Sequence, residues 1–123
     1  MAALSNLKHE VTLDMAHFDM VEKENYLNLL EESFPGLKTN ILHGEMAGFR
    51  WESRPFLKKL GKEICSHVGC LEYPMLIEGH RYKAGGLHAI CSKITHRGQG
   101  LASELIHEVI AWTKKHYDYA SII

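Results

Sequence analysis

The sequence predicts a mixed α/β (α+β) domain. Three observations carry the prediction: an early amphipathic helix, strand-like runs from residue 62 onward, and a strand–turn–helix–strand unit at the end. Asp19 precedes a helical pattern in which Tyr26, Leu27, Leu30 and Phe34 share a face, and Pro35-Gly36 stops it. Residues 37–50 give no decisive period. Residues 54–61, with Phe56, Leu57 and Leu60, read as a short helix or a connection. In 64–70, Ile64, Ser66, Val68 and Cys70 alternate with Cys65, His67 and Gly69, as in a half-buried strand. Pro74 interrupts, 75–77 read as a second strand, and Glu78-Gly79-His80 as a turn. A third strand, 87–91, is entered through Gly85-Gly86. A polar turn over 92–100 leads into a helix whose inner face is Leu101, Leu105, Ile106, Val109, Ile110 and Thr113. Residues 119–123 read as a last strand.

The 123 residues suit a single domain, 1–123. With 46% hydrophobic and 24% charged residues, an ordinary packed core is expected rather than disorder. A formal net charge of -1 gives no electrostatic footprint for nucleic acid or an anionic membrane, so neither is expected as a partner. Cys65, Cys70 and Cys91 are odd in number and form no CxxC pair, which argues against a disulfide framework and for a reducing compartment. The first ten residues lack the apolar core of a signal peptide. No apolar run approaches the roughly 20 residues of a membrane span, so a cytoplasmic location is expected.

The chemistry points to the turn before the last helix. Gly98 and Gly100 permit conformations barred to other residues and close approach to an anion, and Arg97 adds a permanent charge. A helix N-terminus presents unpaired N–H groups and partial positive charge, the ingredients of a phosphate site. The spacing is neither that of a Walker A loop nor that of a dinucleotide fingerprint. By itself it fits equally a tight strand-to-helix turn that binds nothing.

Arg97-Gly98-Gln99-Gly100-Leu101-Ala102 resembles the Arg/Gln-x-x-Gly-x-Gly/Ala signature of the Gcn5-related N-acetyltransferases (GNAT). The preceding run, Ile90-Cys91-Ser92-Lys93-Ile94-Thr95-His96, is similar to that family's strand and loop, with Ile94 where many members have proline. Lys62-Glu63-Ile64-Cys65-Ser66-His67-Val68 is similar to its earlier central strand. The resemblance is clear over 62–123 and faint before. It implies a mixed, mostly antiparallel central sheet flanked by helices, and acetyl-CoA as the acetyl donor. The pyrophosphate would lie on Arg97, Gly98, Gln99, Gly100, Leu101, Ala102 and Ser103, and the pantetheine arm along the backbone of Ile90, Cys91 and Ser92. The implied activity is acetyl transfer to a primary amine of a small molecule or protein. The alternatives are a non-catalytic coenzyme A-binding or regulatory module, a truncated acetyltransferase, or an interaction protein whose glycine loop is structural.

Such transfer needs a neutral amine, a polarised carbonyl and a protonated leaving thiolate. The resemblance implies a backbone N–H near Ile90 as the polariser. His88 is the first candidate base: period-2 alternation sets it on the face of Ile90 and Ser92, opposite Cys91. It also resembles the histidine that some members place at this distance before the loop arginine. Its alternative role is a packed, hydrogen-bonded core histidine. Glu72, with Tyr73, is the second candidate; its alternative is a solvated strand end. Cys65, His67, Cys70 and Cys91 match no common zinc spacing, so no metal is expected. His17-Phe18 and Phe49-Arg50-Trp51 could line the acceptor side. The resemblance also implies a further helix and two strands after residue 123, often with a tyrosine that protonates the thiolate. Turnover is expected to depend on them, with Tyr117 and Tyr119 poor substitutes. Residues 119–123, as an edge strand, are expected to promote homo-oligomers by pairing or swapping.

Overall fold

A computed structural model describes residues 8–11, 18–49 and 51–123. His17 and Arg50, both expected near the acceptor, lie outside the described residues. The elements are β1 (Lys8–Val11), α1 (Met20–Ser33), α2 (Leu37–Met46), β2 (Arg54–Leu60), β3 (Glu63–Ile77), β4 (His80–Ser92), a 3-10 turn (Ile94–His96), α3 (Leu101–His116) and β5 (Tyr119–Ile122). The strands form one sheet in chain order, β1-β2-β3-β4-β5. The first four are antiparallel, and β5 runs parallel to β4 after the α3 crossover.

Helices cover both faces. On one, Tyr26, Leu27, Leu29 and Leu30 of α1 and Ile41 of α2 meet Leu57, Ile64 and Cys91. On the other, Leu105 and Val109 of α3 meet Phe56, Val68, Cys70 and Leu87. This explains why 54–61, expected as a helix or connection, is the strand β2. Phe56 and Leu57 are consecutive and fully buried because each faces a different helical layer. Lys58 reaches Glu104 of α3 at 3.0 Å, while Lys59 pairs with Glu22 of α1. The same double cover buries both sides of 64–70, which alternation had presented as half-buried.

Asp19 caps α1, its carboxylate accepting the Glu22 N–H at 2.8 Å, and Gly36 turns the chain into α2. Pro74 does not interrupt: β3 runs through it to Ile77, so 75–77 continue the same strand. β2 ends at Arg54 opposite Cys70, which leaves Pro74 in an edge segment that tolerates a missing N–H. Positive φ at Glu78 and Gly79 makes the two-residue hairpin turn to β4. Gly85 and Gly86 lie within β4 rather than at its entrance. A Cβ on Gly85 would come 2.8 Å from the Tyr117 ring, and one on Gly86 would come 2.1 Å from Ile123. Their lack of side chains lets α3 and the end of the chain close onto the sheet.

Candidate active site

Two irregularities shape the site. The first is in β4. Gly69 pairs with His88 and His67 with Cys91, so three steps on β4 match two on β3. The surplus is a β-bulge, with Ala89 at φ 49. It breaks the alternation on which the face of His88 was predicted. Ala89 and Cys91 pack on the α1 side and Ile90 on the α3 side. His88 meets Trp51, itself part of the α1-side layer, with ring centroids 5.7 Å apart. His88 therefore shares a face with Cys91 and not with Ile90.

His88 Nε2 lies 2.8 Å from Ser53 Oγ. Gly69 makes room for this pair: a Cβ there would sit 2.4 Å from Ser53 Oγ and 3.0 Å from His88 Nε2. Partial burial lowers the His88 pKa, which keeps the imidazole neutral and able to accept a proton. Beside it, Trp51 Nε1–H donates to Tyr26 Oη at 3.0 Å, and Tyr26 Oη lies 3.2 Å from His67 Nε2. His67 Nδ1 faces the Ala89 carbonyl at 2.8 Å. A carbonyl only accepts, so Nδ1 carries the hydrogen and Nε2 accepts from the phenol, whose proton burial retains. The run Trp51→Tyr26→His67→Ala89 thus ends on the bulge carbonyl. Burial drives the His67 pKa down to about 4. With both ring nitrogens engaged, His67 does not join the cysteines in a metal set. Cys65, Cys70 and Cys91 are buried free thiols that burial pushes up to about 11, which makes them poor nucleophiles.

The second irregularity is the loop before α3. Gly98 and Gly100 have φ 80 and 75, and a Cβ at either would meet nothing within 4 Å. Glycine is needed there for backbone conformation, and the space beside it is open. Gly100 is the N-cap of α3 without a side-chain cap bond, so no cap side chain occupies the first N–H groups of the helix. Arg97 works as a brace: Nε donates to the Ser92 carbonyl at 3.1 Å and Nη2 to Ser33 Oγ at 3.2 Å. The Ile94 N–H donates to Glu32 at 2.6 Å. The end of α1 therefore holds the loop in place. Ser103 is exposed in the first turn of α3.

β5 pairs with β4 only over Ala84–Leu87, with the Ile123 N–H reaching the Leu87 carbonyl at 2.8 Å. Among the described residues no strand flanks 88–92 on that side. Lys93 N–H turns toward β3, donating to the Cys65 carbonyl at 2.8 Å. By the pleat, Ser92 and Ile90 turn their backbone groups to the open edge. The Ser92 side chain is engaged elsewhere, 3.0 Å from Ser66 Oγ.

Glu72 is not brought to His88. It pairs with Gly85, whose surroundings are Tyr117 and Thr113 of α3, and its charge helps raise the Tyr117 pKa, after burial and Cys70. Glu72 and His88 thus occupy opposite faces of the sheet. Sequence reasoning missed Ser53, Tyr26 and the bracing role of His67. No local pattern marks them, because they meet from α1, β3 and the connection before β2.

A family model described as an acetyltransferase (GNAT) domain matches residues 19–123. The chain belongs to the GNAT acetyltransferase family. Solved structures share the fold. A transcriptional regulator from Bacillus halodurans superposes with a TM-score of 0.69 at 13% identity, over 95% of this chain and 81% of that one. A GNAT family N-acetyltransferase from Escherichia coli, in complex with CoA, gives 0.64 at 16% identity, over 90% and 58%. A predicted acetyltransferase from Clostridium acetobutylicum, with acetyl-CoA, gives 0.60 at 12%, over 95% and 79%. No curated protein matches the chain in sequence. Among the described residues no helix is long and apolar enough to cross a membrane.

Proposed function

We propose that the chain is one N-acetyltransferase domain that takes acetyl-CoA as donor and a primary amine as acceptor. The observation that carries the reading is the glycine loop. Gly98 and Gly100 hold left-handed conformations beside open space, directly before a helix whose leading N–H groups have no side-chain cap. In this reading the backbone of 98–103 receives the pyrophosphate, with Arg97 fixing the loop's shape. The open edge at Ile90 and Ser92 pairs with the pantetheine arm as an added strand would, through backbone alone; Cys91 between them turns its backbone to β3, its carbonyl accepting from Ser66 Oγ at 3.1 Å.

His88 is the base. Its Nε2–H is held by Ser53 Oγ, and the neutral Nδ1 takes the amine's proton directly or through a water. The amine nitrogen attacks the acetyl carbonyl carbon, whose oxygen charge the Ile90 N–H stabilises; the C–S bond breaks, the thiolate takes a proton from water, and the imidazolium returns the amine's proton to solvent. Glu72 lies too far round the sheet to share this step. A cytoplasmic site of action and self-association through the exposed β5 edge complete the proposal. A strict monomer on size-exclusion chromatography would remove the second of these.

Saturating acetyl-CoA should raise the Tm, since a ligand that binds only the folded state stabilises it. Absence of a shift would reject the cofactor assignment. Gly100→Glu should abolish the shift by placing charge and bulk against the phosphates. Thiol release with a panel of amines then tests turnover. His88→Ala should keep the shift and slow release; unchanged release would reject His88 as base. Binding without release from any amine would favour the coenzyme A-binding module instead.

A further inference from the structure

A group of side chains outside this site has the makings of a metal centre. Glu63 and Cys65 of β3 and His96 of the 3-10 turn each offer one ligand atom, all within 4.8 Å of one another. Against the expectation of no metal, we propose that these three residues bind a divalent transition metal, with zinc favoured by the donor set. Thiolate, imidazole and carboxylate together suit zinc rather than magnesium or calcium, which take oxygen alone.

Tetrahedral zinc separates its ligand atoms by about 3.5 Å, so the three must close by at most about 1.3 Å, within reach of side-chain rotation. The backbone favours the arrangement. Lys58 pairs with Ser66 and Lys59 with Ile64, which leaves Cys65 as the unpaired residue of a second bulge. A bulge re-aims the side chain it carries. The outer partners are in place as well. Lys93 donates to one Glu63 oxygen at 2.9 Å and leaves the other for the ion. Thr95 Oγ1 lies 3.0 Å from His96 Nδ1, which leaves Nε2 as the ligand. A cleft of about 130 Å³, lined by Asn25, Asn28, Glu32, Ile64 and Lys93, borders the group at Glu63. Cys65 loses its thiol proton to solvent when the ion binds, and a water completes the shell. The ion ties the turn Ile94–His96 to β3 one residue before Arg97, and so stiffens the anchor of the glycine loop.

Cobalt(II) titrated into the full, untagged chain tests this without reference to acetyl transfer. One equivalent should develop a thiolate-to-cobalt charge-transfer band that zinc abolishes by displacement. Cys65→Ser should eliminate the band. His96→Ala, at a half-buried position of the short turn, should weaken binding about tenfold or more, with the far-ultraviolet circular dichroism unchanged. His116→Ala, remote and exposed, should leave it unchanged. No band in the wild type, or a band that survives Cys65→Ser, would overturn the proposal.

Discussion

The two faces of the sheet are built differently. The α3 side is closed by apolar contact: Phe56, Val68 and Leu87 lie against Leu105 and Val109, and Phe56 and Trp112 meet edge-on at 5.0 Å. The α1 side mixes leucines with a buried polar run, Trp51, Tyr26, His67 and the Ala89 carbonyl. An apolar layer tolerates rearrangement at graded cost, whereas a buried hydrogen-bonded run holds only while every member is satisfied. The candidate catalytic geometry, the bulge and the His88–Ser53 pair, sits on the side whose positions are fixed by directed bonds. The α3 side supplies mass and the helix that carries the glycine loop.

The comparison can be broken first on the apolar side. Phe56→Ala should cost about 3–5 kcal/mol of global stability, read by urea denaturation, with little change in its pH dependence. On the polar side, acid is the probe. His67 stays neutral in the folded chain down to about pH 4, whereas the unfolded chain protonates it near its ordinary value of 6.5. Stability should therefore be full above about pH 6.5 and fall as pH drops toward 4, by on the order of 3 kcal/mol from this group. His67→Gln should flatten that slope; an unchanged slope would show that the drop originates elsewhere. Tyr26→Phe should cost about 1–3 kcal/mol, since Trp51 N–H loses an acceptor and His67 Nε2 a donor, and Trp51 fluorescence should report it. Ser53→Ala should cost least, about 1 kcal/mol. It should lower kcat more than it raises KM for acetyl-CoA if the pair orients His88.

Much of the fold was legible. The helices around Tyr26–Leu30 and Leu101–Thr113 announce themselves by period, and Asp19, Pro35 and Gly100 mark their limits. The strand β2 was not legible, because cover on both faces erases the alternation that identifies strands, and Phe56, Leu57 and Leu60 then mimic a helical face. Pro74 misled for a related reason: whether it breaks a strand depends on whether a neighbour needs its N–H. At the site, the glycine loop was readable from residue types alone. The face of His88 was not, since one surplus residue at Ala89 reverses every side chain beyond it.

The sequence by itself determined the family, the glycine loop and the strand–loop–helix that presents it, because these rest on local conformation and on residues contiguous in the chain. Only the tertiary structure decided that Arg97 braces the loop against Ser33, that Ser53 and Gly69 receive His88, and that Glu72 lies on the opposite face. Those relations join residues as far as 64 positions apart. Strand register and a bulge set them, and neither leaves a mark on the residues it brings together.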